Sequence, residues 1–363
     1  MKKIKLNKDY LITFGSVIIV YIILQSLKLA GGLSSLFTGL LVPLCIYTIM
    51  AVSLNLTVGI LGELSLGHAG FMCVGAFSSA FFSMCMKDVI TNSLLRFIIA
   101  ILISAVVAAI FGILIGIPVL RLRGDYLAIV TLAFGEIIKN IVNIMYVGKD
   151  SNGFHLSFKD SMSLGLQEDG KVIINGAQGI TGTPNDSTFT IGIILLCITL
   201  FIVLNFMNSR SGRAVMAIRD NRIAAESIGI NISKYKLMAF AISASLAGVA
   251  GALYAHNIAT LNALPKNFGY NMSIMILVYV VLGGIGNIRG SVIAAAILTI
   301  LPELLRGFSD YRMLIYSIVL IGMMLFNASP RANEWKEKYS PKRLLLKAKD
   351  KKPAEAKNEK EVQ

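Results

Sequence analysis

The side chains best suited to chemistry sit among glycines. In Val58-Gly-Ile-Leu-Gly-Glu-Leu-Ser-Leu-Gly-His-Ala-Gly70, the polar residues Glu63, Ser65 and His68 alternate with Gly59, Gly62, Gly67 and Gly70. Glycine permits backbone that an intact helix forbids, so this is either a re-entrant break lining a pathway or a turn between two helices. Glu63 and His68 alone leave a metal ion short of a third ligand. A second glycine run, Leu282-Gly-Gly-Ile-Gly-Asn-Ile-Arg-Gly290, places Gly283, Gly284 and Gly286 together. Its spacing is not that of a dinucleotide loop and no strand precedes it. It reads as a broken helix near a solute path, or as a tight turn with close helix packing. Glu136 and Lys139 lie one helical turn apart and suit a structural pair, because a proton relay needs further ionisable groups in other helices.

Other reactive patterns are missing. The sequence has no phosphate-binding Walker A run, no HExxH helix and no Ser-His-Asp order. His155 and His256 stand alone, and Cys45, Cys73, Cys85 and Cys197 fall in apolar runs without CxxC spacing, as small buried hydrophobes do.

The most informative stretch is polar. Residues 208–235 carry Arg213, Arg219, Asp220, Asn221, Ala225, Glu226 and Gly229. Asp220 suits the N-cap of a short helix over 221–228, and Gly229 is the residue type expected just past its end. Ala224, Ala225 and Ile228 share a stripe opposite Arg222 and Glu226. So short a helix is unstable alone, so it should dock into a groove on a partner, on the chain's own surface or on anionic lipid heads.

The elements that position these residues are apolar. Hydrophobic residues make up 55% of 363 and charged residues 15%, against about 25% charged in soluble domains, and the mean hydropathy is +0.72. The formal charge of +14 is split into short segments between apolar runs, which excludes a nucleic-acid-binding face and a disordered chain. A bilayer core takes about 20 apolar residues per helix. Ten runs qualify: 11–30, 36–58, 67–86, 97–118, 126–147, 188–207, 236–256, 270–286, 290–306 and 311–327. Open sheet edges do not survive in lipid, so the expected fold class is an all-α polytopic membrane protein of about ten transmembrane helices. Residues 1–10 form a cytoplasmic N-terminus, 11–327 the transmembrane domain and 328–363 a basic disordered tail. The first run ends without a small-x-small cleavage site and reads as an uncleaved span. Arg121, Arg210, Arg213, Arg219, Arg222, Arg289 and Arg331 share the N-terminal side, so both termini and the 208–235 loop belong in the cytoplasm. Residues 148–187 then form a long extracytoplasmic loop, either a partner contact or a solvated insertion. Within 236–256, Ala244, Gly248 and Ala252 recur every four residues and allow close helix approach.

At this point a family can be recognised. GELSLGHAGF (62–71), RLRGDYLAIVTLAFGEI (121–137), SGRAVMAIRDNRIAAESIGINISKYKLMAFAISASLAGVAGALYA (211–255) and VVLGGIGNIRGSVIAA (280–295) resemble permease subunits of branched-chain amino-acid ABC importers. The LivM-like member of the LivH/LivM pair is the closer match. The resemblance covers about residues 45–327. It implies a multi-pass protein of a bacterial-type inner membrane that is not itself an enzyme. It also implies partners: a LivH-like permease, two cytosolic ATPase subunits that use ATP and Mg, an extracytoplasmic substrate-binding protein and membrane lipid. Arg213, Arg219, Asp220, Asn221, Ala225, Glu226 and Gly229 match the segment that couples to the ATPase. Gly59, Gly62, Glu63, Ser65, Gly67, His68, Gly283, Gly284 and Gly286 match the glycine segments near the path. Where relatives continue the second glycine run with Gly-Pro, this chain reads Gly290-Ser291, and its 149–174 insertion is long.

The expected function is translocation of leucine, isoleucine and valine delivered by the binding protein. Within the family, urea, other amino acids or amides are the alternative cargo. An ion-coupled secondary transporter using Glu63, His68, Glu136 and Lys139 is the reading from another class. A membrane enzyme would need Glu63, His68 and His256 to converge.

Overall fold

The computed structural model describes residues 8–305, apart from 33, 123 and 168–169, together with 311, 314–315, 317–318, 320–322 and 325. Residues 1–300 form one compact unit; residues 301–363 form a second, in which the described residues are helical. The tail 328–363 and eight of the 17 residues of the expected span 311–327 lie outside the described residues.

The chain begins with α1 (Lys8–Leu29), α2 (Ser35–Asn55) and a π-helical turn (Leu56–Leu61), followed by α3 (His68–Cys85), α4 (Ser93–Val119) and α5 (Asp125–Ile144). A β-segment comes next: β1 (Tyr146–Asp150), β2 (Gly153–Ser157), β3 (Lys171–Asn175) and β4 (Ile180–Thr181). After it come α6 (Phe189–Asn208), α7 (Arg210–Asp220), α8 (Arg222–Ser227) and α9 (Ile232–Ala255). The last elements are β5 (Thr260–Leu261), α10 (Pro265–Phe268), α11 (Tyr270–Gly283) and α12 (Ile288–Leu304). Six stretches among the described residues are long and apolar enough to cross a membrane: α2 with its π turn, α3, α4, α5, α6 and α9.

The core is built on small residues. α9 packs against α2, α3 and α4, and its interior face carries Ala244, Ala247, Gly248, Gly251 and Ala252. α4 answers with Ala100, Ser104, Ala108, Gly112 and Gly116, a buried stripe recurring every four residues. A Cβ on Gly248 would meet the Ser104 carbonyl at 2.7 Å, and the Ser104 hydroxyl donates to the Gly248 carbonyl at 2.5 Å. In lipid, where apolar surface alone gives little drive to association, such close backbone contact is what holds helices together. The opposite face of α4 exposes Leu102, Val106, Ile110, Leu114 and Ile117.

Three expectations need correction. The fold is not purely helical, because a three-stranded antiparallel sheet in the order β2-β1-β3 occupies the segment between α5 and α6. β4 also pairs with β5. Strands are costly only where lipid removes water from their edges, and these lie beyond the helix ends. The fifth helix stops at Ile144 rather than 147, because Tyr146 and Val147 already pair in β1. α9 begins at Ile232 rather than 236, so Lys234 belongs to its first turn and not to the preceding loop.

α3 and α9 define two ends. α3 starts beside the first glycine break and reaches the sheet, where Phe81 meets the Phe154 ring at 5.7 Å. α9 runs from α8 to His256, whose Nε2 lies 2.8 Å from the Ser83 hydroxyl.

Candidate functional site

Three side-chain caps shape the polar segment. Ser209 accepts from Gly212 N–H at 3.0 Å, Asn221 from Ala224 N–H at 3.0 Å and Asn231 from Lys234 N–H at 3.1 Å. They start α7, α8 and α9. The cap of the short helix is therefore Asn221 and not Asp220. Asp220 closes α7 and accepts from Arg219 Nε at 3.0 Å, and α8 covers only Arg222–Ser227. Gly229 has φ +85, the left-handed geometry expected of the residue past the helix end.

The expected stripe on α8 divides. Ala225 is buried with Ile218 and Ile232, and Ile230 and Tyr235 pack around them. Ala224 is exposed, and so is Ile228 at 75%. Ile223, which pattern reading passed over, is 82% exposed. Ala225 is thus the foot of the helix, while Ile223, Ile228 and Glu226 form its free surface. Arg213 stays with the scaffold, donating to the Asn208 carbonyl at 3.0 Å.

Arg219 joins this segment to the first glycine break. Its Nη1 donates to the Gly59 carbonyl at 2.8 Å, neutralising a helix-end carbonyl with a cation. The stem of Arg219 crosses Gly62, where φ is +77 and a Cβ would meet Arg219 Cγ at 2.5 Å. Only glycine satisfies both the turn and the approach. A second tie comes from α9: Lys236 pairs with Glu63, their side chains 8% and 13% exposed. Glu63 is thus held in an ion pair, which sequence reading did not foresee.

The two glycine breaks meet each other. A Cβ on Gly59 would collide with the backbone of Gly286 and with Asn55 Oδ1. Asn55 Oδ1 accepts from Gly286 N–H at 2.8 Å, and its Nδ2 donates to Ser291 Oγ at 2.8 Å. Gly284 and Gly286 take φ +92 and +81, and Gly283 lies against the backbone of Gly290 and Ser291. Sequence reading paired the breaks by analogy; it missed Asn55, whose signal is a lone amide at the end of an apolar run.

The remaining break residues are also engaged. Gly67 abuts the Thr131 backbone of α5, and Thr131 Oγ1 accepts from Leu66 N–H at 3.0 Å. His68, buried, has Nε2 at 2.7 Å from Ser53 Oγ. Thr57 donates to Ser243 at 2.8 Å, and Ser243 to the Ser53 carbonyl at 2.5 Å. Ser65 Oγ is buried with no hydrogen-bond partner among the described residues. Glu136 pairs with Lys139 as expected and also accepts from Tyr270 N–H at 2.8 Å. Among the described residues no cluster of three metal-binding side chains occurs, and the four cysteines are free. The arrangement is mechanical: a surface helix, an arginine strut and two interlocked backbone breaks.

Residues 36–328 match the family described as the permease component of branched-chain amino acid transport systems. The chain belongs to that family. It is LivM-like, a multi-pass inner-membrane protein. The high-affinity branched-chain amino acid transport system permease proteins LivM of Salmonella typhimurium and Escherichia coli are each 34% identical over 290 residues, 77% of this chain. This permease spans 66% of their length. LivH of Salmonella typhimurium is 23% identical over 286 residues, 77% of this chain and 88% of LivH. The fructose import permease protein FruG of Bifidobacterium longum is 28% identical over 149 residues, 39% of this chain and 42% of FruG. No solved structure matches the permease.

Proposed function

We propose that this permease is the LivM-like half of an ABC importer for leucine, isoleucine and valine. In this reading about ten helices span the membrane, and the termini and α7–α8 are cytoplasmic. α8 docks on one of two ATPase subunits that use ATP and Mg, a LivH-like permease completes the channel, and an extracytoplasmic binding protein delivers the amino acid. The cargo assignment rests on the LivM relatives at 34% identity. Sugar import is named for a relative that matches a much smaller part of the chain.

The observation that carries the reading is the Arg219–Gly59 bond, which ties α7, the helix that leads straight into α8 and its exposed Ile223, directly to a backbone break 160 residues away in sequence. Movement of α7–α8 would pass through Arg219 and the Lys236–Glu63 pair to the break, and through Asn55 to Gly286 and α12. The glycines at 59, 62, 67, 283, 284 and 286 would let the breaks shift without side-chain collisions, next to the path. Ser65 offers a buried hydroxyl to a passing solute, and His68 stays held by Ser53. An ion-coupled cycle would need Glu63, Glu136, Lys139 and His68 free to exchange protons, whereas each has a close partner.

The test is reconstitution into vesicles with two ATPase subunits, a LivH-like permease and a binding protein from the same organism. ATP-dependent uptake of labelled leucine, isoleucine and valine, but not urea, is the expected result. Arg219→Ala should lower uptake about tenfold or more, while the loss of one hydrogen bond to a charged group costs only ~2 kcal/mol of stability. Solute accumulation by the chain alone under a proton gradient would overturn the reading.

A further inference from the structure

At the end of the molecule that carries α7 and α8, the last turn of α4 and the first turn of α9 enclose a cleft of about 310 Å³. Its floor and walls are apolar: Ile117, Leu120 and Leu237. Its rim carries Arg121 and Lys234 with the Ser233 hydroxyl, and none of its described lining residues is acidic. Two cations beside an apolar slot suit an amphipathic anion, with a headgroup at the rim and hydrocarbon in the groove.

The surroundings specify that anion further. Ile117 is 50% exposed and continues the apolar face of α4 through Leu114, Ile110 and Val106, towards the other end of that helix. A ligand with its charge at Arg121 and Lys234 therefore has an uninterrupted hydrocarbon surface on which to lay long chains. The cleft between α3 and the sheet, at the opposite end, differs: Lys87, Lys149 and Lys171 share it with Asp88 and Asp150. There the charges compensate within the protein; at the α4–α9 cleft they do not.

We infer that the α4–α9 cleft binds the phosphodiester headgroup of an anionic phospholipid, with its acyl chains along the exposed face of α4. Basic pockets between membrane helices hold such headgroups by charge, and each Lys or Arg near the surface contributes about 1 kcal/mol. The site adjoins the link between α8 and α9, because Asn231, which caps α9 and lines the cleft, lies two residues beyond Gly229. The inference holds whichever solute is carried.

Native mass spectrometry of the full chain in neutral detergent, titrated with phosphatidylglycerol or phosphatidylcholine, tests it. Phosphatidylglycerol should bind and phosphatidylcholine should not. Arg121→Gln with Lys234→Gln should weaken phosphatidylglycerol roughly thirtyfold, the equivalent of two such contacts. Arg121→Lys with Lys234→Arg should stay within about threefold, and so should Lys149→Gln with Lys171→Gln at the opposite end. Undiminished binding by the charge-removed variant overturns the site. An equal loss in the opposite-end variant reduces the effect to net charge. Competition by inorganic phosphate at the lipid's own concentration makes the site one for free anions. Each of these three results defeats the inference.

Discussion

The two ends of this permease are held together in different ways. Where α7 and α8 sit, three ties join residues far apart in sequence: Arg219 to Gly59, Lys236 to Glu63 and Asn55 to Gly286. At the other end, β1 pairs with β2 across a two-residue turn and with β3 only about twenty residues on. Asp150 fixes that turn locally by accepting from the N–H groups of Asn152 and Gly153 at 2.9 and 3.1 Å. One end is a keystone between helices, so a disturbance there should spread. The other end has long-range ties of its own in the β4–β5 pair and the Ser83–His256 contact, but its β1–β2 hairpin is held by neighbours in sequence, so a disturbance in that hairpin should stay local. The keystone end also presents Ile223 and Ile228 to whatever docks there.

Gly59→Leu is the most severe way to break the comparison. The added side chain would run into the backbone of Gly286 and the Asn55 amide, none of which is a flexible tip. Overpacking here should cost about 3 kcal/mol or more and separate α12 from α2, read as loss of a monodisperse species after purification. Gly153→Leu at the hairpin meets no atom within 4 Å but strains a φ of +133; that cost, about 1–3 kcal/mol, should stay within the turn and leave purification normal. Equal yields from both variants would remove the asymmetry. Lys236→Met comes next. It strands Glu63 in a mostly buried position, for which about 3 kcal/mol is expected. Reversible denaturation in mixed micelles measures it, and Lys236→Met with Glu63→Leu should recover most of the loss. A double variant no better than the single would mean that packing, and not the stranded charge, was responsible.

This division also explains what could be read from the residues alone. Helices declare themselves by long apolar runs, and the α9 small-residue repeat announced close packing. The short polar helix was visible because Gly229 and the alternation of charge and alanine leave a local trace. Its cap was misplaced by one residue because Asp220 and Asn221 are both good caps, and only the end of α7 decides between them. The keystone ties were invisible, because nothing near Asn55 or Lys236 in sequence names a partner that lies tens or hundreds of residues away. The sheet was missed for a different reason. Phe154, Leu156 and Phe158 alternate after Asn152-Gly153, a usable hairpin signal, but the rule against open strands in lipid was extended to a segment outside it.

The next effect leaves the fold intact. Ile223→Glu with Ile228→Glu changes two exposed side chains, so stability should move by no more than about 0.5 kcal/mol. Recovery of the ATPase subunits with the tagged permease should nevertheless fall several-fold. Phe154→Ser with Leu156→Ser, also exposed but on the hairpin, should leave that recovery unchanged. A loss in the second pair, or none in the first, would mean that exposed apolar residues at the two ends do not differ in purpose.

The smallest effect is confined to the hairpin. Burial acts to raise the pKa of Asp150, but the Asn152 N–H, the His155 ring and the Gln167 N–H outweigh it and hold the carboxyl below its ordinary 3.8. His155 Nε2 lies 3.0 Å from Asp150 Oδ2. A carboxyl with a depressed folded pKa adds stability above its unfolded value, and that stability disappears as pH falls through the folded one. The hairpin should therefore be at full strength at neutral pH and loosen only on acidification below about pH 4. Amide exchange over residues 146–157, corrected for the intrinsic pH dependence, should rise there. Exchange in α7 and around Gly59 should not follow, since no hydrogen bond among the described residues connects the two ends directly. Asp150→Asn should flatten the acid response while giving a slightly looser turn at neutral pH. If acid loosened α7 in step with the hairpin, the ends would be coupled through α3 and α9, and the separation between a spreading and a local region would be wrong.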